Sequence, residues 1–288
     1  MTITHPALRH GGRVALLGER DRSELQRLLD TDPIVNAVIC ARVRECQSLA
    51  PAKLGGTMLG VRGAQGLAGA AYHGGNLVPI EGDRPAWESL ARSVADRPRL
   101  CTSIVGRTDA VATMWEILGR RWGAAREVRP AQPLLVLNYL ADIAGDDSVR
   151  LAGLDDVDRY VAASAAMFTE ELGMSPHRDS DGSGYRTRVI DLIKARRAFA
   201  SFDFRGQVLF KADIGAVSAH TCQVNGVWVR PDVRGRGIAT AALATVFRHA
   251  LTLAPSVSLY VNDFNAPARR VYEKLGMQHH ATLSTVLL

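Results

Sequence analysis

The chain has 288 residues, of which 47% are hydrophobic and 22% are charged, a balance typical of one large or two ordinary folded domains. No apolar run reaches the roughly 18–20 residues needed to span a bilayer, so no membrane association is expected, and no signal-peptide pattern is visible. The net charge of +6 is spread over both halves without a basic cluster, which argues against a nucleic-acid partner.

The predicted elements of the first half follow one another in the order strand, two helices, three strands, helix, strand, helix, strand. Their ranges are 13–17, 21–29, 34–46, 56–61, 66–72, 77–80, 84–95, 100–105, 108–119 and 133–137. The second half repeats this order at 149–151, 155–171, 185–195, 198–204, 207–214, 221–229, 238–250, 256–261, 268–275 and 280–287. We expect the helix at 155–171 to be broken near its end. The repetition predicts an internal duplication at the level of the fold.

The joint between the halves falls in an acidic, small-residue stretch at 141–147, which is suited to a linker. We therefore place two domains at residues 1–140 and 148–288.

The stretch from Val227 to Thr240 predicts a strand, a tight glycine loop and a helix. Val227, Trp228 and Val229 are of types that strands favour, and a proline follows them. The loop and the first turn of the helix read Arg234, Gly235, Arg236, Gly237, Ile238, Ala239 and Thr240. A helix that starts at such a loop has free N–H groups and a positive dipole end, so it suits a phosphate or pyrophosphate. The sequence lacks the Gly-Lys-Ser/Thr of a P-loop.

The pattern Arg234-x-x-Gly237-x-Ala239 resembles the acyl-CoA signature of the GNAT acetyltransferase superfamily, Gln/Arg-x-x-Gly-x-Gly/Ala. The segment from Asn265 through Tyr272 to Met277 resembles a second signature of that family, Asn-x-x-Ala-x-x-x-Tyr-x-x-x-Gly-Phe. It departs from the pattern at Met277, where phenylalanine is commoner. The two signatures occur in the family's order, one helix and one strand apart, over about the last quarter of the chain.

The resemblance implies an α/β fold with a mixed sheet. It implies two tandem GNAT-like domains, each a twisted, mostly antiparallel sheet flanked by helices. It also implies acetyl-CoA as acyl donor, bound by residues 227–229 and 234–240, by Asn265 and by Tyr272, with Asn262 as a weaker alternative. Asn265 is also a common type of helix cap. The first half has Glu81 and Asp83 at the place of the glycine loop, so we expect it to be a degenerate domain that binds no CoA.

The resemblance also implies catalytic roles. A backbone N–H near Val229 would stabilise the oxyanion, and Tyr272 would act as general acid. Glu170 and Glu171 are candidate general bases, with Asp213 as a further one, and each could instead be a structural charge. The polar segment 172–184 predicts a substrate loop or a plain surface connection, with His177 solvated in it.

The cysteines and histidines carry no further site. Four cysteines lack metal or redox spacing, namely Cys40, Cys46, Cys101 and Cys222. We expect them to be reduced in a cytoplasmic protein. We do not expect Cys222 to be a catalytic nucleophile, because its position on a predicted strand favours a buried core thiol. His220, His279 and His280 have no partner at metal spacing, so no metal is expected.

The leading hypothesis is an acetyl-CoA-dependent N-acetyltransferase that acts on a primary amine by direct attack in a ternary complex. A non-catalytic acyl-CoA-binding or sensing protein is the alternative. The amine acceptor, a small molecule or a protein, stays open, and either a monomer or a homodimer is compatible with the sequence.

Overall fold

The structure is a computed structural model that describes residues 12–173 and 183–288. Its strands are β1 Val14–Leu16, β2 Gly56–Gly63, β3 Gly66–Gly74, β4 Leu77–Pro79, β5 Ser103–Arg107, β6 Glu127–Leu137, β7 Arg150–Leu151, β8 Ala198–Phe202, β9 Val208–Val217, β10 Cys222–Val229, β11 Val257–Tyr260 and β12 Gln278–Leu287. Its α-helices are α1 Arg22–Thr31, α2 Ala37–Cys46, α3 Pro51–Leu54, α4 Arg84–Ala95, α5 Thr108–Trp122, α6 Val157–Leu172, α7 Ser183–Lys194, α8 Ile238–Leu251 and α9 Ala266–Lys274.

The chain divides into two compact units, and unit 1 combines the residues up to 134 with segments 260–264 and 280–288. Its strands follow the order β1-β2-β3-β4-β5-β12-β6. The first four are antiparallel neighbours, whereas β4 pairs in parallel with β5 at Leu77 and Ile104 alone. The other edge of β5 pairs antiparallel with β12, from Leu283 opposite Arg107 onward. Helices α4 and α5 bury an apolar cluster against this sheet.

Unit 2 consists of residues 135–259 and 265–279, with strand order β11-β10-β9-β8-β7. Neighbours from β7 to β10 are antiparallel. β10 pairs in parallel with β11 only at Cys222 and Gln223, so the two strands separate beyond that point. Helices α6 and α7 cover one cluster of buried residues. α8 buries an apolar stripe that includes Phe247, as its 3.6-residue periodicity predicts.

The predicted elements are all present, with two differences. Helix α3 was not predicted, because four residues are too few to show a helical period. The predicted break near the end of the helix at 155–171 is wrong, since α6 runs without interruption to Leu172 and ends at Gly173 in a left-handed conformation. The predicted substrate loop falls largely on residues 174–182, and these, with His177, lie outside the described residues.

The compact units do not follow the linker at 141–147. Segments 260–264 and 280–288 come from the second half of the sequence but belong to unit 1. Strand pairing over such a distance is set by tertiary packing, and no local pattern marks it. Among the described residues, none of the helices has the length and hydropathy that a membrane span requires.

Candidate active site

The glycine loop of unit 2 presents the open N-terminus of α8. Gly235 has a φ of +76° and Gly237, the N-cap residue, has a φ of +81°, a region that residues with a Cβ rarely adopt. Within the part of the chain that the structure describes, nothing lies within 4 Å of the place where a Cβ would stand at either glycine. No side chain of residues 12–173 or 183–288 caps the helix start. The first N–H groups of this 14-residue helix are therefore free to bind an anion, and the helix dipole favours negative charge there.

Two arginines flank this loop and make it positive. The Nε of Arg234 donates to the carbonyl oxygen of Val229 at 2.9 Å, and its Nη2 lies 2.6 Å from Oε2 of Glu170. Among the described residues, the Arg236 guanidinium donates one hydrogen bond, to the carbonyl oxygen of Asp232 at 3.4 Å. Arg234 thus ties the loop to the end of β10 and to α6, while Arg236 remains exposed beside the helix start.

The strand that leads into the loop is exposed along one edge beyond its parallel pairing. Val227 and Val229 are half-buried and Trp228 is buried. Past Gln223, β10 no longer pairs with β11, so its edge can pair with an extended ligand such as the amide-containing arm of CoA. The side chains of residues 227–229 are thus buried or half-buried, while the backbone edge on the β11 side has no strand partner among the described residues.

Tyr272 lies on α9 and is buried, with only 6% of its surface exposed. Within the described residues its hydroxyl has no hydrogen-bond partner. Burial raises the pKa of this phenol well above its ordinary value, and the negative charge of Glu171 raises it further. The hydroxyl is therefore protonated at neutral pH, as a proton donor must be.

The two candidate glutamates stand in different surroundings. Glu170 accepts a hydrogen bond from the indole Nε1 of Trp228 at 3.0 Å and pairs with Arg234, so both carboxylate oxygens are used. Glu171 is exposed at the end of α6 and acts electrostatically on Tyr272. Of the two, Glu171 is the one that the structure associates with the candidate acid.

Asn265 and Asn262 are engaged in local structure. The Oδ1 of Asn265 accepts from the backbone N–H of Ala268 at 3.2 Å and caps α9, which is the structural role that its residue type also predicts. Its side chain is exposed, so the amide nitrogen still faces solvent. The Oδ1 of Asn262 accepts from Gln132 at 2.8 Å, and both of these residues belong to unit 1.

Cys222 does not have the surroundings of a nucleophile. Burial raises the pKa of its thiol to about 11, so the thiolate is scarce at neutral pH. Its Sγ lies 3.4 Å from the carbonyl oxygen of Ala250 in the core. Over residues 12–173 and 183–288, no group of three or more His, Cys, Asp or Glu side chains could hold a metal ion.

The equivalent region of unit 1 is closed to an anion. The side chain of Asp83 caps α4 by accepting from the N–H of Ala86 at 3.0 Å, and thus places a carboxylate where the α8 loop is open. Pro79 lies over Gly106, so closely that a Cβ on Gly106 would fall 2.9 Å from Pro79 Cγ. Pro79 of β4 therefore packs closely against Gly106 of β5.

The structure contains a buried polar network on α6 and β9, of which the sequence predicted only one member. Asp213 was a candidate base, but the structure surrounds it with Lys211 and Tyr160, which sequence reasoning missed. Lys211 and Asp213 are two apart on one strand and so share a face of the sheet. Two charges on one face of an otherwise apolar strand were the signal that could have revealed the pair.

Comparisons with known proteins agree with this geometry. Residues 189–277 match the acetyltransferase (GNAT) family, and residues 56–160 match a domain of unknown function, DUF4081. No curated protein matches the chain.

Solved structures show the same fold at low identity. An acetyltransferase of the GNAT family from Colwellia psychrerythraea has a TM-score of 0.58 at 12% identity, over 96% of this chain and 99% of that one. A GCN5-related N-acetyltransferase from Sphaerobacter thermophilus has a TM-score of 0.57 at 18% identity, over 96% and 95%. A tandem GNAT protein from the clavulanic acid biosynthesis pathway has a TM-score of 0.52 at 13% identity, over 96% and 98%. The predicted fold class, a tandem GNAT fold with mixed α/β architecture, is confirmed.

Proposed function

Because the chain carries a GNAT acetyltransferase-family domain at residues 189–277, we propose that it is an N-acetyltransferase that uses acetyl-CoA. It transfers the acetyl group to a primary amine by direct attack in a ternary complex. The acceptor is a small molecule or a protein. Unit 2 performs the reaction, and unit 1 binds no CoA.

The observation that carries this proposal is the uncapped N-terminus of α8, which follows two glycines in the left-handed backbone conformation. The pyrophosphate of CoA fits such a site because free N–H groups and the helix dipole both favour an anion there. Arg234 and Arg236 add positive charge at the same loop. The separation of β10 from β11 leaves a strand edge at which the pantetheine amides would pair.

In the proposed mechanism, the thioester supplies the acetyl group, and side chains of the protein donate and accept the protons. The amine nitrogen bonds to the carbonyl carbon as the carbon–sulfur bond breaks. Tyr272 gives its proton to the departing sulfur; its raised pKa keeps the hydroxyl protonated at neutral pH, although it also makes the phenol a weaker acid than an ordinary tyrosine. Glu171 takes the proton that the amine loses. Glu170, held by Trp228 and Arg234, instead supports the coenzyme loop.

The first test is calorimetric titration of the full chain with acetyl-CoA, as wild type and as Gly237→Glu. The substitution places a negative side chain at the start of α8, so saturable binding by wild type should be lost in the variant. Gly123→Glu is the matched control. Gly123 also has a positive φ, +87°, and open space around it, but it lies at the end of α5 in unit 1. The control should bind acetyl-CoA like wild type.

The outcomes separate the hypotheses. Wild type that binds no acetyl-CoA, or Gly237→Glu that binds as wild type does, would contradict the proposed site. Binding without release of CoA thiol in the presence of a broad panel of primary amines would favour the non-catalytic acyl-CoA sensor instead. Turnover with one class of amine would identify the acceptor.

A further inference from the structure

A buried ionic network joins α6 to β9, the strand that pairs with β10, and it is separate from the glycine loop. Lys211 and Tyr160 are fully buried, and Asp213 is only 7% exposed. The Nζ of Lys211 lies 2.8 Å from Oδ2 of Asp213, and the hydroxyl of Tyr160 donates to Oδ1 of Asp213 at 2.5 Å. The ammonium also stands 5.1 Å from the centre of the Tyr160 ring. Each oxygen of the carboxylate therefore has a buried donor.

Such a network fills a core less favourably, in free energy, than apolar side chains do. Removing two charges from water costs more than packing apolar side chains of the same volume, so a buried ion pair is weak evidence of stabilisation. Burial and the charge of Asp213 both raise the pKa of Tyr160, which keeps its hydroxyl protonated as a donor. The network is therefore better explained by a role in holding neighbouring groups in position than by a contribution to the stability of the fold.

The part of the chain that the network touches is a bulge in β10. Asn225 lies opposite Asp213 and Trp228 lies opposite Lys211, so Gly226 and Val227 share one partner position on β9. Gly226 has a φ of +58°, and a Cβ there would fall 2.9 Å from Lys211 Nζ and closer still to Asp213 Oδ2. The ion pair is thus packed directly against the backbone of the bulge.

The bulge follows the point where β10 leaves β11, on the strand edge that the proposed function assigns to the pantetheine arm of acetyl-CoA. A donor that stabilises charge on the thioester oxygen must be held in place before the reaction, since its reorganisation would otherwise add to the barrier. Backbone amides in a bulge have fewer ladder bonds to hold them than those in a regular strand.

We propose that Lys211 and Asp213, with Tyr160 as their support, are positioning residues that fix the β10 bulge so that its amides can bind the thioester carbonyl. Lys211 and Asp213 pack against the backbone of the bulge, and Tyr160 holds Asp213; none of the three has to touch the substrate. This inference rests on the proposed function, and its test must separate the two.

The test is the infrared absorption of acetyl-CoA labelled with ¹³C at the thioester carbonyl, bound to the full chain. A hydrogen bond to the carbonyl lowers its stretching frequency, so the frequency reports the bulge donor. The variants are Tyr160→Phe, which removes one support, and the double variant Lys211→Met with Asp213→Asn, which removes both charges together. Calorimetry with acetyl-CoA and with CoA accompanies each spectrum.

We expect a lowered frequency in wild type and a shift back towards the free value in both variants. The affinity for acetyl-CoA should fall relative to that for CoA by about tenfold, the scale of one hydrogen bond. Asp156→Asn is the control, because Asp156 is another buried carboxylate of unit 2 that pairs with Arg150 away from β10. It should keep the wild-type frequency.

The outcomes are distinct. Wild type that binds neither acetyl-CoA nor CoA rejects the proposed function. Wild type that binds both, with a frequency that the folded Tyr160→Phe variant leaves unchanged, rejects the positioning role alone. Tyr160→Phe keeps the ring and both charges, so it decides the matter even if the double variant fails to fold.

Discussion

At the scale of residues, Tyr272 is the proton donor that we propose for the candidate site. It is buried, protonated and without a hydrogen-bond partner among the described residues, so its hydroxyl is free for a ligand. The leaving sulfur of CoA would accept a hydrogen bond from this hydroxyl, and this links the residue to the proposed reaction.

Tyr272→Phe should slow the release of CoA thiol by about 10²-fold, the usual contribution of a general acid. The affinity for acetyl-CoA and the midpoint of thermal unfolding should change little, since no internal hydrogen bond is lost. In wild type, ionisation of this group should not reduce the rate below about pH 10, the ordinary tyrosine value, because its pKa is raised.

Thiol release at several pH values, with calorimetry for the affinity, would check both expectations. Tyr139→Phe makes the same chemical change on an exposed side chain and serves as control. Equal rates for Tyr272→Phe and wild type would remove Tyr272 from the mechanism.

Some of these residues could be predicted from the sequence and others could not. Gly235 and Gly237 were predictable because a tight loop before a helix requires a backbone that few other residues adopt. The partnership of Tyr160 with Asp213 spans 53 residues, so it depends on how α6 packs on β9. Glu170 and Glu171 are neighbours on a helix and point about 100° apart, so only the packed structure shows which one meets Trp228.

At the scale of elements, two helix starts explain why one unit has a candidate CoA site and the other has none. α8 begins at Gly237, and no described side chain caps its N–H groups, whereas α4 begins at Asp83, whose carboxylate accepts from an N–H group of α4. The same helix position is thus open in unit 2 and already neutralised in unit 1. The sequence revealed this contrast because cap residues act locally.

Asp83→Ala should lower the free energy of unfolding by about 1 kcal/mol, because the N-cap hydrogen bond is lost. The affinity for acetyl-CoA should not change, since α4 belongs to the unit that we propose binds no CoA. Denaturant unfolding and calorimetry would measure the two quantities. Asp83→Asn, which retains a capping oxygen, should be nearly as stable as wild type. A changed affinity in Asp83→Ala would mean that unit 1 takes part in binding.

At the scale of the whole molecule, the domain boundary is where local sequence reasoning reaches its limit. The acidic stretch at 141–147 looks like a linker, yet segments 260–264 and 280–288 belong to unit 1. Alternating hydrophobic residues identified β12 as a strand but held no information about its neighbour. Its partner β5 lies far away in sequence, and packing alone selects it.

A fragment of residues 1–140 should therefore fold poorly, although it spans the whole first half. It lacks β12, so β5 loses its antiparallel neighbour, and the core beneath loses Val286. We expect a broad thermal transition and aggregation by light scattering. Supplying a peptide of residues 278–288 should sharpen the transition. A fragment that unfolds cooperatively on its own would show that β12 is dispensable for unit 1.

The pairing of β12 with β5 also has a consequence during synthesis of the protein. β5 ends at Arg107 and β12 begins at Gln278, so one edge of β5 stays uncovered while the ribosome makes nearly all of unit 2. At about 5–20 residues per second, the delay is on the order of ten to thirty seconds. An open strand edge is a template for pairing with other chains. The nascent protein thus passes through an interval in which chaperones compete with neighbouring chains for β5.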